Sequence, residues 1–158
     1  MSEDRGENGG SAVDVEARLS GYPPAVLAGF HSAREVLTER VDEGTLEAWA
    51  ERGAQIAEMS VQSWEAAAEY FDASPAVQRQ LPSGQFVQWG ASGARLCTES
   101  PSLGATFFLV SPGALLRLRP RHIDSWARLC HGMYRGTWKS SALACHFCER
   151  APELLASR

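Results

Sequence analysis

Two cysteines in the run Cys145-His146-Phe147-Cys148, with the distant pair Cys130-His131, are the residues whose types and spacing most readily do chemistry. Thiolate and imidazole donors arranged in this way can supply four ligands to a zinc ion, and a Cys-x-x-Cys pair can cycle between dithiol and disulfide. Taken alone, Cys130, His131, Cys145 and Cys148 are a candidate metal or redox site. A second constellation is electrostatic. Arg117, Arg119, Arg121 and His122, followed by Arg128, gather positive charge in one stretch that could receive an anionic partner surface. These arginines are not interleaved with aromatics, so base stacking is not expected.

Other routes to catalysis find little support. His31, His122, His131 and His146 share no spacing with carboxylates that suggests a catalytic pair. No serine sits in a Gly-x-Ser-x-Gly setting, and no glycine loop carries the lysine of a phosphate cradle. No catalytic or cofactor-binding residue is assigned, and no cofactor is expected.

The elements that must position these residues come from a repeat. Trp49, Trp89 and Trp126 are spaced by 40 and 37 residues, and each opens a similar phrase. A small residue follows at +4 (Gly53, Gly93, Cys130), an apolar one at +7 (Ile56, Leu96, Met133), and Ser or Thr at +11 (Ser60, Ser100, Thr137). This is the stripe of one helical face. A second anchor ends each copy: Tyr70-Phe71-Asp-Ala-Ser74-Pro75 aligns with Phe107-Phe108-Leu-Val-Ser111-Pro112 and with Phe147-Cys148-Glu-Arg-Ala151-Pro152. The Ser/Thr-to-Pro distance is 15, 12 and 15 residues, which predicts a second helix shortened by about one turn in the middle copy.

Each copy therefore reads as helix, turn, helix, then a short helix. Ser60 is placed to cap the second helix, and Ser74-Pro75 and Ser111-Pro112 to start short helices over Pro75–Leu81 and Pro112–Leu118. Thr106-Phe-Phe-Leu-Val110 has β-forming residues but falls in the second helix by alignment. The expected fold is all-α: an α-solenoid-like stack of about three helical hairpins, copies 42–81, 82–118 and 119–158, within a domain over 21–158. Residues 1–20, acidic and Gly-rich, are expected as a disordered lead-in.

The alignment also reinterprets the cysteines. Cys145 occupies the place of Ala68 and Ala105, Cys148 that of Phe71 and Phe108, Cys130 that of Gly53 and Gly93, and Cys97 that of Ala57. Each falls on a core stripe, where cysteine acts as a small hydrophobe. Packing is the favoured reading, with a metal site or redox pair as the alternatives.

Bulk properties set the remaining bounds. The 158 residues carry a formal net charge of −4, which argues against a broad nucleic-acid surface. No apolar run approaches the roughly 18 residues of a membrane span. No basic segment leads into an apolar stretch at the N-terminus, so no secretory signal is expected. Four cysteines are few for a disulfide framework, which points to a reducing cytoplasm.

The phrase Trp-x3-Gly-x2-Ile/Leu-Ala/Cys-x2-Ser, followed by Ala-Ala-x-Tyr/Phe-Phe-x-x-Ser-Pro, resembles helical repeats of large bacterial proteins with a C-terminal von Willebrand factor A domain, partners of MoxR-type AAA+ ATPases. It covers residues 46–155. The copy length is also similar to that of HEAT and armadillo repeats. The Asp-x-Ser-x-Ser metal motif of the von Willebrand domain is missing, since Asp72-Ala-Ser74-Pro does not match it. The resemblance thus implies the repeat scaffold alone, with an AAA+ ATPase complex as a partner. The function expected is a non-enzymatic protein–protein interaction scaffold. A small metal-binding or redox protein using Cys130, Cys145 and Cys148 is the alternative.

Overall fold

The computed structural model describes residues 11–156, and every regular element among them is helical. The helices are α1 (Ser11–Leu19), α2 (Pro24–Leu37), α3 (Glu43–Glu58), α4 (Trp64–Gln80), α5 (Ser83–Glu99) and α6 (Pro101–Ala114). A 3-10 turn at Pro120–His122 leads into α7 (Ile123–Gly136), and α8 (Ser141–Ala156) follows. The pairs α3/α4, α5/α6 and α7/α8 close as hairpins. Helices α1, α3, α5 and α7 contact one another in that order, as do α2, α4, α6 and α8. The buried side chains form one cluster running from Val15 to Ala151.

The tryptophans sit where two hairpins and two helix successions meet. Trp49, Trp89 and Trp126 are all buried, and each packs on an aromatic ring from the preceding even-numbered helix, stacked for Trp49 and Trp89 and tilted by 34° for Trp126. The pairs are Phe30 on Trp49 at 5.7 Å, Tyr70 on Trp89 at 5.4 Å, and Phe107 on Trp126 at 4.4 Å between ring centres. Such pairs contribute about 0.5–1.5 kcal/mol beyond their buried area. A buried indole also needs a partner for its N–H. Trp49 donates to Ser74 Oγ at 2.8 Å and Trp89 to Ser111 Oγ at 2.9 Å. Alanine replaces the serine at 151, and Trp126 donates instead to the Cys148 carbonyl at 3.0 Å. Proline 152 has no N–H to offer that carbonyl four residues back, so the indole fills the gap in the ladder.

Several expectations from the sequence change here. Proline 75 does not begin a short helix: α4 runs through it to Gln80, and Pro112 and Pro152 likewise lie inside α6 and α8. Ser74 and Ser111 are not caps but relays. Each accepts from a tryptophan and donates at 2.5 Å to the carbonyl four residues earlier, Tyr70 and Phe107. Nor does Ser60 cap α4. It lies in the bend before it, where its N–H donates to Ser63 Oγ at 2.9 Å. Ser100 does cap α6, accepting from the Leu103 N–H at 3.2 Å.

The shortened spacing of the middle copy also falls elsewhere than expected. The second helix of the middle copy is the shortest, 14 residues against 17 and 16, but all three run eleven residues from their start through the residue before proline (Trp64 to Ser74, Pro101 to Ser111, Ser141 to Ala151). What shrinks ahead of the proline is the connection, which is Ser100 alone between α5 and α6 but Met59–Ser63 between α3 and α4. The stretch Thr106–Val110 is helical, overriding its β-forming residues.

The expected lead-in of residues 1–20 is corrected in its second half, while residues 1–10 lie outside the described part. Ser11–Leu19 form α1, because Val15 and Leu19 find complete burial against the core. Arg18 clamps the helix to α3 through Glu51 at 2.7 Å and Glu58 at 2.8 Å. That pairing holds the Glu58 carboxyl below its ordinary range.

Small residues make the close approaches possible. A Cβ added at Gly53 or Gly93 would run into the ring of Phe71 or Phe108, both buried. In the last hairpin the same two places hold Cys130 and Cys148, so a Gly–Phe pair is exchanged for two residues of middle size. Alanine in a helix interior is ordinarily favoured over glycine by about 1 kcal/mol. Overpacking costs about 1–3 kcal/mol, so Gly93→Ala is expected to destabilise. Adding Phe108→Leu should restore part of the loss. Gly132→Ala, on a helix with nothing near the new Cβ, should raise the urea midpoint. Equal effects at positions 93 and 132 in urea unfolding would refute the packing account.

Candidate partner-binding surface

The four cysteines do not come together as one ligand set. Cys130 and Cys148, on α7 and α8, are fully buried, and the two thiols interact. That interaction and burial push the Cys148 thiol well above its ordinary value. Cys145 lies half-buried beside Thr106; burial raises its pKa and the Thr106 contact partly opposes this. Cys97 is remote, packed against Gly104, and burial pushes it up to about 12. His131 lies 3.6 Å from the Glu99 carboxylate of α5. Among the described residues no group of three or more His, Cys, Asp or Glu side chains is arranged to hold a metal ion.

The arginine cluster is divided by the fold. Arg117 reaches across to Glu153 at 2.9 Å, tying the end of α6 to α8. Arg128 pairs with Asp124 at 2.6 Å, one turn back on α7. His122 turns its Nδ1 inward, where no described group hydrogen-bonds it. Arg119 and Arg121 remain exposed on the connection between α6 and α7, with no ion-pair partner among the described residues. Leu118, immediately before Arg119, is buried and anchors this connection to the core.

Two grooves flank the connection. One, of about 240 Å³, runs between α5 and α7 and is lined by Ser92, Arg95, Glu99, Arg128 and His131. Its rim is laced by Arg95 to Asp124 at 3.1 Å and Arg135 to Glu99 at 3.4 Å. The other, of about 390 Å³, lies between α6 and α8 and is lined by Leu109, Val110, Leu116 and Pro152, with Arg117 and Glu149. Leu109 is 58% and Leu116 79% exposed, apolar area that packing has not used.

Sequence reasoning missed Arg95, Glu99, Asp124 and Arg135, because they meet only when α5 and α7 pack. Leu109 and Leu116 were missed since both belong to an apolar run that reads as core. Trp138 was missed too. It is 94% exposed in the turn after α7, where it and Lys139 hold φ of 58° and 60°. Its place outside the register of the other tryptophans was the signal available.

Comparison of the chain with protein-family models, with curated proteins and with solved structures finds no match in any of the three.

The cysteine placement makes an expectation for alkylation of the native protein. Cys145 should react first, and more slowly than a free cysteine near about pH 8, because its raised pKa leaves less thiolate there. Cys97, Cys130 and Cys148 should react only on unfolding. Mass-resolved iodoacetamide labelling checks the order, and early labelling of Cys130 would contradict the buried pair.

Proposed function

We propose that this chain is a non-enzymatic scaffold, an α-solenoid-like stack of helical hairpins that docks a protein partner. The observation that carries the reading is the composite surface around the α6–α7 connection. Exposed Leu109 and Leu116 border a groove, and unpaired Arg119 and Arg121 stand beside it. A segment with apolar and acidic side chains complements both features. The ordered contacts of odd with odd and even with even helices support the stacking part of the proposal. Stacked helical repeats present such surfaces along their length. The resemblance to scaffolds beside AAA+ ATPases names one class of candidate partner.

The test is affinity capture with quantitative mass spectrometry, comparing the wild-type chain with Arg119→Glu/Arg121→Glu and with Leu116→Glu. A partner retained by wild type, lost tenfold or more in both variants and weakened by salt is the expected result. Equal capture by all three proteins sinks the assignment of this surface.

The second reading is a redox or metal-binding role for Cys130, Cys145 and Cys148, and the burial of Cys130 and Cys148 beside each other favours it. Stoichiometric zinc in protein purified without chelator, lost on Cys145→Ala, would select it over the scaffold.

A further inference from the structure

The last hairpin presents an apolar face whose counterparts in the earlier hairpins are buried. Residues of the first and third copies correspond at a constant offset of 77 positions, from Trp49/Trp126 to Pro75/Pro152. Under that offset Leu143 corresponds to Ala66, and in the middle copy to Leu103; both counterparts are fully buried, whereas Leu143 is 58% exposed. Met133 corresponds to buried Ile56 and Leu96 but is itself only half-buried. Leu129, 42% exposed, corresponds to buried Ser92 in the middle copy and to partly buried Arg52 in the first.

Phe147 completes the pattern. It holds the place of Tyr70 and Phe107, the rings that Trp89 stacks on and Trp126 packs against at a tilt. Phe147 is half-buried, and no described ring stacks on it.

The earlier hairpins also show what covers such a face. After each tryptophan comes a small residue, Ala50, Gly90 or Ala127. A Cβ at Gly90 would lie 3.0 Å from the Tyr70 ring and 3.4 Å from the Arg52 stem, so this position presses on the preceding hairpin. Helix α1 of a second copy is a poor occupant, for Ser11–Leu19 contains no tryptophan.

We propose that the outer face of α7 and α8, centred on Phe147, Leu143 and Leu129, is a docking site for a further helical hairpin. Its first helix carries a Trp-Ala or Trp-Gly pair, and the indole stacks on Phe147. This inference rests on the stacked-hairpin reading given above, but uses a different surface from the α6–α7 connection.

Residues 82–118 fused directly after Arg158 provide the probe. The added tryptophan then lies 14 residues beyond Pro152, the distance that separates Pro75 from Trp89 and Pro112 from Trp126. The extended full chain is expected to unfold at least about 2–4 °C higher than the parent. The new indole should be shielded from acrylamide. Leu143→Glu, at an exposed site, should abolish both effects in the extended chain and leave the parent's midpoint unchanged. Phe147→Ala should remove the shielding. An extension that adds no stability and leaves its indole quenchable overturns the proposal. So does a parent dimer that Leu143→Glu dissociates, since a second copy is then the occupant. If the extension fails while capture still depends on Arg119 and Arg121, the scaffold reading stands and this docking site alone is lost.

Discussion

Burying an indole imposes two demands at once: its broad faces need apolar contact, and its N–H needs an acceptor, because an unsatisfied buried donor costs about 1–3 kcal/mol. The arrangement of these helices follows from meeting both demands three times. Each of Trp49, Trp89 and Trp126 takes its acceptor from the second helix of its own hairpin and an aromatic ring to pack on from the helix before. The side chain thereby fixes three helices relative to one another. Phe71 and Phe108 close edge-on against Trp49 and Trp89 at 5.3 Å and 5.1 Å. Gly53 and Gly93 leave them the room.

The prolines inside α4, α6 and α8 belong to the same solution. A proline in a helix interior gives up one N–H donor and crowds the carbonyl one turn back. Where Ser precedes it, the hydroxyl bridges the indole to the helix backbone. With alanine in that place, the indole goes to the backbone carbonyl itself. The last hairpin differs from the others in two linked ways: it has lost the serine relay and exchanged Gly–Phe for Cys–Cys. Its cysteines are packed as a pair of middle-sized side chains. The adjoining Cys130 thiol and burial raise the pKa of Cys148, which works against the thiolate chemistry its spacing suggests.

With the interior occupied in this way, the proposed functions lie on the outside. Two of the clustered arginines serve intramolecular ion pairs, which as surface pairs contribute only about 0–1 kcal/mol each. Arg119 and Arg121 have no ion-pair partner among the described residues. The apolar area near them, and that on the outer face of α7 and α8, would be buried only by association, and exposed apolar patches beside charge are where recognition is concentrated.

Much of this was legible in the sequence because it is written in local spacing. The tryptophan register, the small residue at +4 and the Ser/Ala-Pro step set which side chains enter the core. They also marked the cysteines as packing residues, since chain neighbours three, four and seven apart share a helical face whatever the tertiary structure. Local spacing misled at Pro75, Pro112 and Pro152. Proline reads as a helix start, yet each of these lies inside a helix, and at Pro152 the indole of another helix takes the carbonyl that proline leaves without an N–H. It misled again over the first residues: α1 has little to recommend it alone, and its formation depends on burying Val15 and Leu19 and on Arg18 reaching Glu51 and Glu58 across a sequence gap of 33 and 40 residues. The candidate surface is of the same kind. Arg117 and Arg128 look identical to Arg119 and Arg121 in a string of letters, and only the packing of α6 on α8 and the turn of α7 decide which charges are answered from within the chain.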